Sequence, residues 1–181
     1  MNSQHITLLT FGYFDKGLLE EVAGAVSREF NYPVICRDIH IDLSEFYDAG
    51  RRQYNGDKVL KTVVSKHDYD SIKTIGLLNI DLFIPILTYI FGQAQLGGSA
   101  GIASMYRLSN ELYGLKHDVG LQKERFIKEV IHELGHAFGL LHCHDVVCVM
   151  RSGSYVEDID QKSKDFCQNC RRMMESTVNP S

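Results

Sequence analysis

The first part of the chain alternates between apolar runs and one amphipathic stretch. Residues 6–14 are rich in β-branched and aromatic side chains and predict a buried strand. Residues 16–30 follow with apolar side chains at helical spacing, and Asp15 can serve as the N-cap of that helix. After Pro33, residues 34–43 alternate in part between apolar and polar positions and predict a second strand. A strand, a helix and a strand in this order indicate a right-handed βαβ unit in a mainly parallel sheet.

The apolar runs further along the chain supply the rest of the sheet. Residues 72–80 are nearly all apolar and predict a central strand. Pro85 and the pair Gly97-Gly98 mark turns. The other predicted elements are a loop at 44–56, a helix up to 67 capped by Asn55 or Asp57, strands at 88–94 and 100–108, and a helix at 121–138. The pattern predicts an α/β (α+β) fold with a twisted, mainly parallel five-stranded sheet, in a single domain spanning 1–181.

Composition limits the possible partners and location of the protein. The chain has 181 residues, of which 44% are hydrophobic, enough for one sizeable core. Its net charge of −4 offers no basic surface for nucleic acid or an anionic membrane. No segment approaches the roughly 20 apolar residues of a membrane span, and the N-terminus lacks the basic start of a secretion signal. We therefore expect a cytoplasmic protein without nucleic-acid or membrane partners, and we expect it to be a monomer.

Residues able to bind a metal concentrate in the last predicted helix. His132, Glu133 and His136 form an H-E-x-x-H motif. Because each helical residue turns by about 100°, His132 and His136 lie on one face and can share a zinc ion. Glu133 lies beside the first histidine, from where a carboxylate can reach a zinc-bound water without displacing a ligand. The alternative interpretation is an amphipathic helix whose histidines merely border the core.

Gly139 allows a third histidine to join this site. If the helix continued, His142 would lie roughly 240° round the helix axis from His136 and would face away from the metal. A glycine in the left-handed conformation at the helix C-terminus lets the chain turn back without a Cβ penalty. His142 can then complete a three-histidine site with an open fourth position, which is typical of a catalytic rather than a structural zinc.

The cysteines suggest a second metal site. Four of the five fall in the last quarter of the chain, as the pairs Cys143/Cys148 and Cys167/Cys170. These pairs can supply the four thiolates of a closed, structural zinc site. Two disulfides are the competing interpretation, which suits a secreted protein, and a redox switch at Cys167 and Cys170 is a third. Cys36 stands alone in an apolar run and is expected to be a small buried hydrophobe.

Together these motifs resemble those of the archaemetzincin (archaelysin) family, a group of metzincin zinc metallopeptidases. The matching residues are His132, Glu133, His136, Gly139, His142, Cys143, Cys148, Met150, Cys167 and Cys170, with a further similar stretch at Arg52-Gln-Tyr-Asn55. The resemblance implies a metzincin-like zincin fold. Its N-terminal subdomain, 1–139, would contain the active-site helix, and its C-terminal subdomain, 140–181, would be held by the structural zinc.

The resemblance further implies two Zn²⁺ ions per chain, one catalytic and one structural. The expected ligands are His132, His136 and His142 for the catalytic ion, and Cys143, Cys148, Cys167 and Cys170 for the structural ion. Met150 would be the Met-turn residue, which packs beneath the catalytic metal without binding it. Some metzincins have a tyrosine two residues after that methionine; because Ser152 stands there in this chain, we assign no tyrosine a catalytic role.

The expected function is zinc-dependent hydrolysis of a peptide or protein substrate. Glu133 would act as general base toward a zinc-activated water, and the substrate would lie extended along strand 88–94 by β-augmentation. The rival class is a non-catalytic zinc scaffold or metal-buffering protein, against which the intact Glu133 argues. An aminopeptidase is the alternative to an endopeptidase and would need an acidic group for the substrate's amino terminus. Glu129 is near enough to be that group, although we expect it to be a solvated surface residue.

Overall fold

Strands dominate the first half of the chain and helices the second. The computed structural model describes residues 4–68 and 70–178. In chain order its elements are β1 (His5–Phe11), α1 (Lys16–Phe30), β2 (Val34–Ile39), β3 (Tyr47–Asp48), β4 (Gln53–Asn55), α2 (Gly56–Ser65), β5 (Ser71–Leu78), β6 (Leu82–Ile84), β7 (Leu87–Ile90), β8 (Gly92–Ala94), β9 (Ala100–Ser104), α3 (Val119–Ala137), α4 (Val156–Gln161) and α5 (Gln168–Val178). Short 3-10 helices occupy Ser44–Phe46, Tyr106–Leu108 and Asn110–Tyr113.

Five strands form the main sheet, in the order β2-β1-β5-β9-β8. The first four run parallel, and β8 pairs antiparallel with β9 at one edge. The predicted α/β fold with a mainly parallel five-stranded sheet is confirmed. β5 occupies the centre, as its sequence predicts, because a strand covered on both faces needs apolar side chains on both.

A second sheet of four short strands has the order β3-β4-β6-β7. The prediction of a loop over 44–56 is therefore wrong, since β3 and β4 lie within it. The single strand predicted at 88–94 is also wrong, because β7 pairs with β6 across the turn at Pro85 while β8 joins the main sheet. These strands are too short to show the two-residue period of a β-strand. Whether such a segment forms a strand therefore depends on the strands with which it pairs.

The helices begin where side-chain caps allow. Asp15 Oδ1 accepts from Leu18 N at 3.0 Å, and α1 begins and ends at the predicted residues. Asn55 caps α2 in the same way, with 3.2 Å to Lys58 N. Asp118 caps α3, which starts two residues earlier than predicted. Among the described residues, no helix is long and apolar enough to cross a membrane.

The C-terminal segment shares a core with the main sheet. Its contributions to the cluster that also contains α1, β1, β5 and α3 are Cys148, Val149, Met150, Val156, Ile159, Phe166, Cys170 and Met174. Phe166 packs edge-on against Phe30 of α1, with 5.4 Å between ring centroids. This packing fixes the chain that follows α3 against the sheet. The division into two subdomains at residue 139 stays a prediction.

The edge strand β2 corrects one expectation. Cys36 lies in β2 and is exposed, so the prediction of a buried Cys36 is wrong. In the described part of the chain β2 has β1 as its one neighbour in the sheet, and most of its side chains are exposed. An apolar run therefore did not identify a fully covered strand here.

Candidate functional site

α3 carries the first residues of the site on one face. His132 and Glu133 are buried, and His136 follows one turn after His132. The imidazole rings of His132 and His136 are 4.6 Å apart between centroids, and their Nε2 atoms are 3.1 Å apart. The i, i+4 spacing has therefore brought two ring nitrogens to a common point.

Gly139 ends α3 in the manner that the sequence predicts. Its φ of +98° places it in the left-handed region. Gly139 N donates to His136 O, and Leu140 N donates to Gly135 O, both at 2.9 Å. This pair of bonds is a Schellman motif, which satisfies the last carbonyls of the helix and reverses the chain. As a result the ring of His142 lies 4.9 Å from that of His136, between centroids.

Backbone carbonyls orient two of the histidines. His132 Nδ1 contacts Val149 O at 2.8 Å, and His136 Nδ1 contacts Leu140 O at 2.7 Å. With Nδ1–H donating to these carbonyls, each Nε2 keeps its lone pair for a metal. Burial, with the charge of Lys162 next in size, also holds the pKa of His132 well below its usual value, so the ring is neutral near pH 7.

The donor set suits zinc. One ring nitrogen from each of His132, His136 and His142 lies within 4.8 Å of the others. Three neutral imidazoles with a free side facing a cleft are the ligands of many catalytic zinc sites. The predicted residues are thus brought together, and their role as ligands is taken up below as a proposal.

Met150 lies directly beneath the helix that carries the histidines. It is fully buried, and a Cβ added to Gly135 would stand 2.4 Å from its sulfur. Only glycine at this position lets the sulfur approach the helix so closely. The location agrees with the Met-turn that the family resemblance implies.

Glu133 has two charged neighbours, Glu129 and Lys162, of which the sequence indicated only Glu129. Glu129, one turn earlier on α3, is buried, so the prediction of a solvated Glu129 is wrong. Lys162 is equally buried, and its charge attracts both carboxylates. Burial, followed by the charge of Glu129, holds the pKa of Glu133 well above its usual value.

These residues line a cleft of about 540 Å³. One wall is formed by the predicted substrate strand, 88–94, and another by residues 152–155. Tyr89 Oη donates to Ser154 O at 3.0 Å and joins these two walls. Gly92 of β8 packs on the Glu133 side chain so tightly that an added Cβ would stand 2.6 Å from Glu133 Cγ.

The four C-terminal cysteines meet in one cluster. Their sulfurs lie within 4.8 Å of one another, and Cys143 Sγ is 3.7 Å from Cys167 Sγ. All four are free thiols. A single group of four sulfurs, rather than two separate pairs, has the ligand number of a closed zinc site. Two of these cysteines, Cys148 and Cys170, also form part of the apolar core.

Comparison with known proteins identifies the family. Residues 20–176 match the model of peptidase family M54. The chain belongs to peptidase family M54. Its curated relatives include the archaemetzincin of Pyrococcus horikoshii, 39% identical over 76% of either chain. The archaemetzincin of Saccharolobus solfataricus is 33% identical over 97% of this chain and 95% of its own.

Solved structures of M54-like fold agree with this assignment. The archaemetzincin of Methanopyrus kandleri has a TM-score of 0.85 at 29% identity, covering 98% of this chain and 96% of that one. A zinc-dependent peptidase from Methanocorpusculum labreanum has a TM-score of 0.84 at 29% identity, covering 93% of this chain and 99% of that one. The expected family and the expected enzyme class, a zinc metallopeptidase, are confirmed.

Within this M54 peptidase, sequence reasoning missed part of the cleft. The sequence placed Glu129 near the site, one helical turn before Glu133, but did not indicate that it is buried. No local signal marked Lys162, which follows the six-residue helix α4 and is buried only by tertiary packing. Tyr89 lies in the predicted substrate strand, 88–94, but the sequence did not indicate its hydrogen bond to Ser154 O.

Proposed function

We propose that this M54 peptidase hydrolyses peptide bonds in the cleft beside α3, with Glu133 as general base. The observation that carries the proposal is the convergence of three histidine nitrogens beside a buried, non-liganding carboxylate. His132, His136 and His142 would hold the catalytic zinc. Zinc bound there would act as a Lewis acid toward a peptide carbonyl and toward water.

Glu133 would move the proton that hydrolysis requires. A carboxylate next to the ligand set can accept a proton from the attacking water and return it to the leaving amine. Its raised pKa favours the first step, because a carboxylate with a higher pKa is a stronger base toward the attacking water. The close packing of Gly92 would restrict the side chain to few orientations.

The substrate would be a peptide or protein segment in extended form. Within residues 4–68 and 70–178, β8 pairs only with β9, so its other edge is free to pair with a substrate strand. The whole predicted stretch 88–94 lines the cleft. A net charge of −4 supports our view that nucleic acid and anionic membranes are not partners. We also propose that the enzyme acts as a monomer in the cytoplasm, where reducing conditions keep thiols free.

A second zinc would be held by Cys143, Cys148, Cys167 and Cys170. Four thiolates leave no open position, so this ion would stabilise structure rather than take part in chemistry. Because the first of these cysteines, Cys143, directly follows His142, the site would also help to fix the position of His142.

The test is digestion of a peptide library by the zinc-loaded enzyme, read by mass spectrometry, with Glu133→Ala in parallel. We expect cleavage by the wild type and strongly reduced cleavage by the variant. The cut positions distinguish removal of single amino-terminal residues from internal cleavage. No cleavage by either protein across the library would contradict the proposal and favour a zinc scaffold or metal-buffering protein.

A further inference from the structure

One hydrogen bond joins the two walls of the cleft. Tyr89 lies on the wall formed by residues 88–94, and its hydroxyl donates to Ser154 O, on the wall formed by residues 152–155, at 3.0 Å. Ser154 is exposed, so the bond lies at the mouth of the cleft. An extended peptide paired with β8 would lie between the same two walls. A peptide that continued past Tyr89 would therefore meet this bond.

The ring of Tyr89 is held in place by its neighbours. The guanidinium group of Arg107 lies over it, 4.3 Å from the ring centroid, and the ring of Phe91 meets it edge-on, with 5.5 Å between centroids. Arg107 is itself fixed, because its Nε and Nη2 donate to the two carboxylate oxygens of Asp81 at 2.6 Å and 2.7 Å. The Tyr89 hydroxyl therefore keeps one direction, toward the opposite wall.

The acceptor of this bond is fixed as well. Ser154 N and Tyr155 N donate to Asp158 Oδ2 at 2.8 Å and 3.0 Å, where α4 begins. Two amide groups bound to one carboxylate oxygen restrict the rotation of this segment, so Ser154 O keeps facing Tyr89. The bond thus joins two anchored residues.

The backbone before Tyr89 already has partners for its carbonyl groups. Arg51 Nη1 donates to Leu87 O at 3.1 Å, and Gln53 Nε2 donates to Thr88 O at 3.0 Å. In the same stretch, β7 pairs with β6. Along β8, by contrast, one edge has no neighbouring strand among the described residues. Pairing with a substrate strand is therefore favoured along β8 and hindered before Tyr89.

The direction of β8 decides which part of a substrate would face the bond. β8 leads away from Tyr89, so antiparallel pairing, slightly more stable per residue than parallel pairing, would direct the C-terminal part of a substrate toward Tyr89. Gly92 packs on Glu133, which would place the reacting bond near Gly92. Tyr89 precedes Gly92 by three residues, at most about 10 Å of extended chain.

We propose that the hydrogen bond between Tyr89 and Ser154 limits the substrate to about three residues on the C-terminal side of the cleaved bond. Tyr89 is then a specificity-determining residue, and the enzyme releases short fragments from the C-terminal end of peptides. A longer C-terminal segment fits only when the bond breaks. The inference rests on the proposed function of this cleft.

The test is a series of peptides with one sequence up to the cleaved bond and a growing number of residues after it. For the zinc-loaded wild type, kcat/KM should fall about tenfold beyond about three residues, the upper range of what one hydrogen bond contributes. Tyr89→Phe keeps the ring against Arg107 and Phe91 but cannot form the bond, so its kcat/KM should vary by less than about threefold along the series. A second series, lengthened before the cleaved bond, should show no such limit in either protein.

Tyr113→Phe is the matched control. The Tyr113 hydroxyl donates to Arg107 O at 2.8 Å, and Tyr113 does not line the cleft, so this variant should keep the wild-type dependence on length. A dependence lost equally in Tyr113→Phe and Tyr89→Phe would overturn the role of the bond. Equal kcat/KM for all lengths in the wild type, or an unchanged decline in Tyr89→Phe, would do the same.

Peptide binding gives a readout independent of turnover. In zinc-loaded Glu133→Gln, Kd for the same peptides should rise about tenfold over the same range of lengths, and adding Tyr89→Phe should abolish the rise. A Kd that does not change with length would overturn the inference and leave the proposed function intact. Absence of both cleavage and binding in the wild type would contradict the proposed function and the inference together.

Discussion

His142 and Cys143 are adjacent in the chain, yet their side chains belong to different clusters. The His142 ring is 5.4 Å from that of His132 between centroids, whereas Cys143 Sγ is 3.7 Å from Cys167 Sγ. Only about 3.8 Å separates neighbouring Cα atoms, so neither cluster can shift far without moving the other. Cys143 N also donates to Met150 O at 2.9 Å, which ties the cysteine cluster to the segment beneath α3.

This junction predicts that Cys167→Ser damages the histidine site from a distance. Loss of one thiolate should loosen the chain after α3 and so weaken the hold on His142. We expect lower zinc affinity at the histidine site, lower peptidase activity and faster proteolysis of the C-terminal segment, while the main sheet stays folded. Zinc analysis, a peptidase assay and limited proteolysis measure the three effects.

Cys36→Ser is the matched control for that substitution. Cys36 lies exposed on the edge strand β2, in neither cluster, so its replacement should change none of the three properties. Full activity and unchanged zinc affinity in Cys167→Ser would show that the two clusters are independent.

A chelator should remove the two proposed zinc ions in sequence. The histidine site faces the cleft and offers three protein ligands, whereas the cysteine site offers four and has no open position. We therefore expect two zinc ions in freshly purified protein and loss of one of them, together with activity, at low chelator concentration. Elemental analysis along a chelator titration makes the measurement. One zinc or none in untreated protein would contradict the two-site proposal.

The residues that could be predicted from the sequence are those whose roles depend on local geometry. His132 and His136 are one helical turn apart, and Gly139 provides the left-handed turn that returns His142, so spacing alone brings them together. α1 was predicted to the residue because an N-cap and a regular apolar stripe define it.

The residues that escaped prediction depend on distant contacts. Lys162 has the sequence context of a surface lysine, and only the packing of α4 near α3 and the chain around Val149 buries it. Glu129 looked solvated because a helical face cannot be recognised as covered before its neighbours are placed. β3 and β4 are strands only by virtue of their partners, since two or three residues carry no periodicity.

Gly139→Ala should destabilise the protein and impair the histidine site together. A Cβ in the left-handed conformation costs about 1–2 kcal/mol of folding free energy, and relief of that strain would move His142. Urea denaturation of the zinc-loaded protein, with zinc affinity measured alongside, tests both effects. Gly120→Ala is the control: its added Cβ would have 3.5 Å to Asp118 Oδ1, an ordinary contact, so stability should be unchanged or slightly higher. Similar losses in the two variants would count against a special role for the turn.

Turnover by Glu133→Gln tests the central claim most directly, because glutamine keeps the size of the side chain and removes its capacity to accept a proton. The variant should retain its zinc and its fold while kcat/KM for a cleaved library peptide falls by roughly 10² to 10⁴, the range for loss of a general base. Activity within a few-fold of the wild type, at equal zinc content, would contradict the assignment of Glu133 as the base.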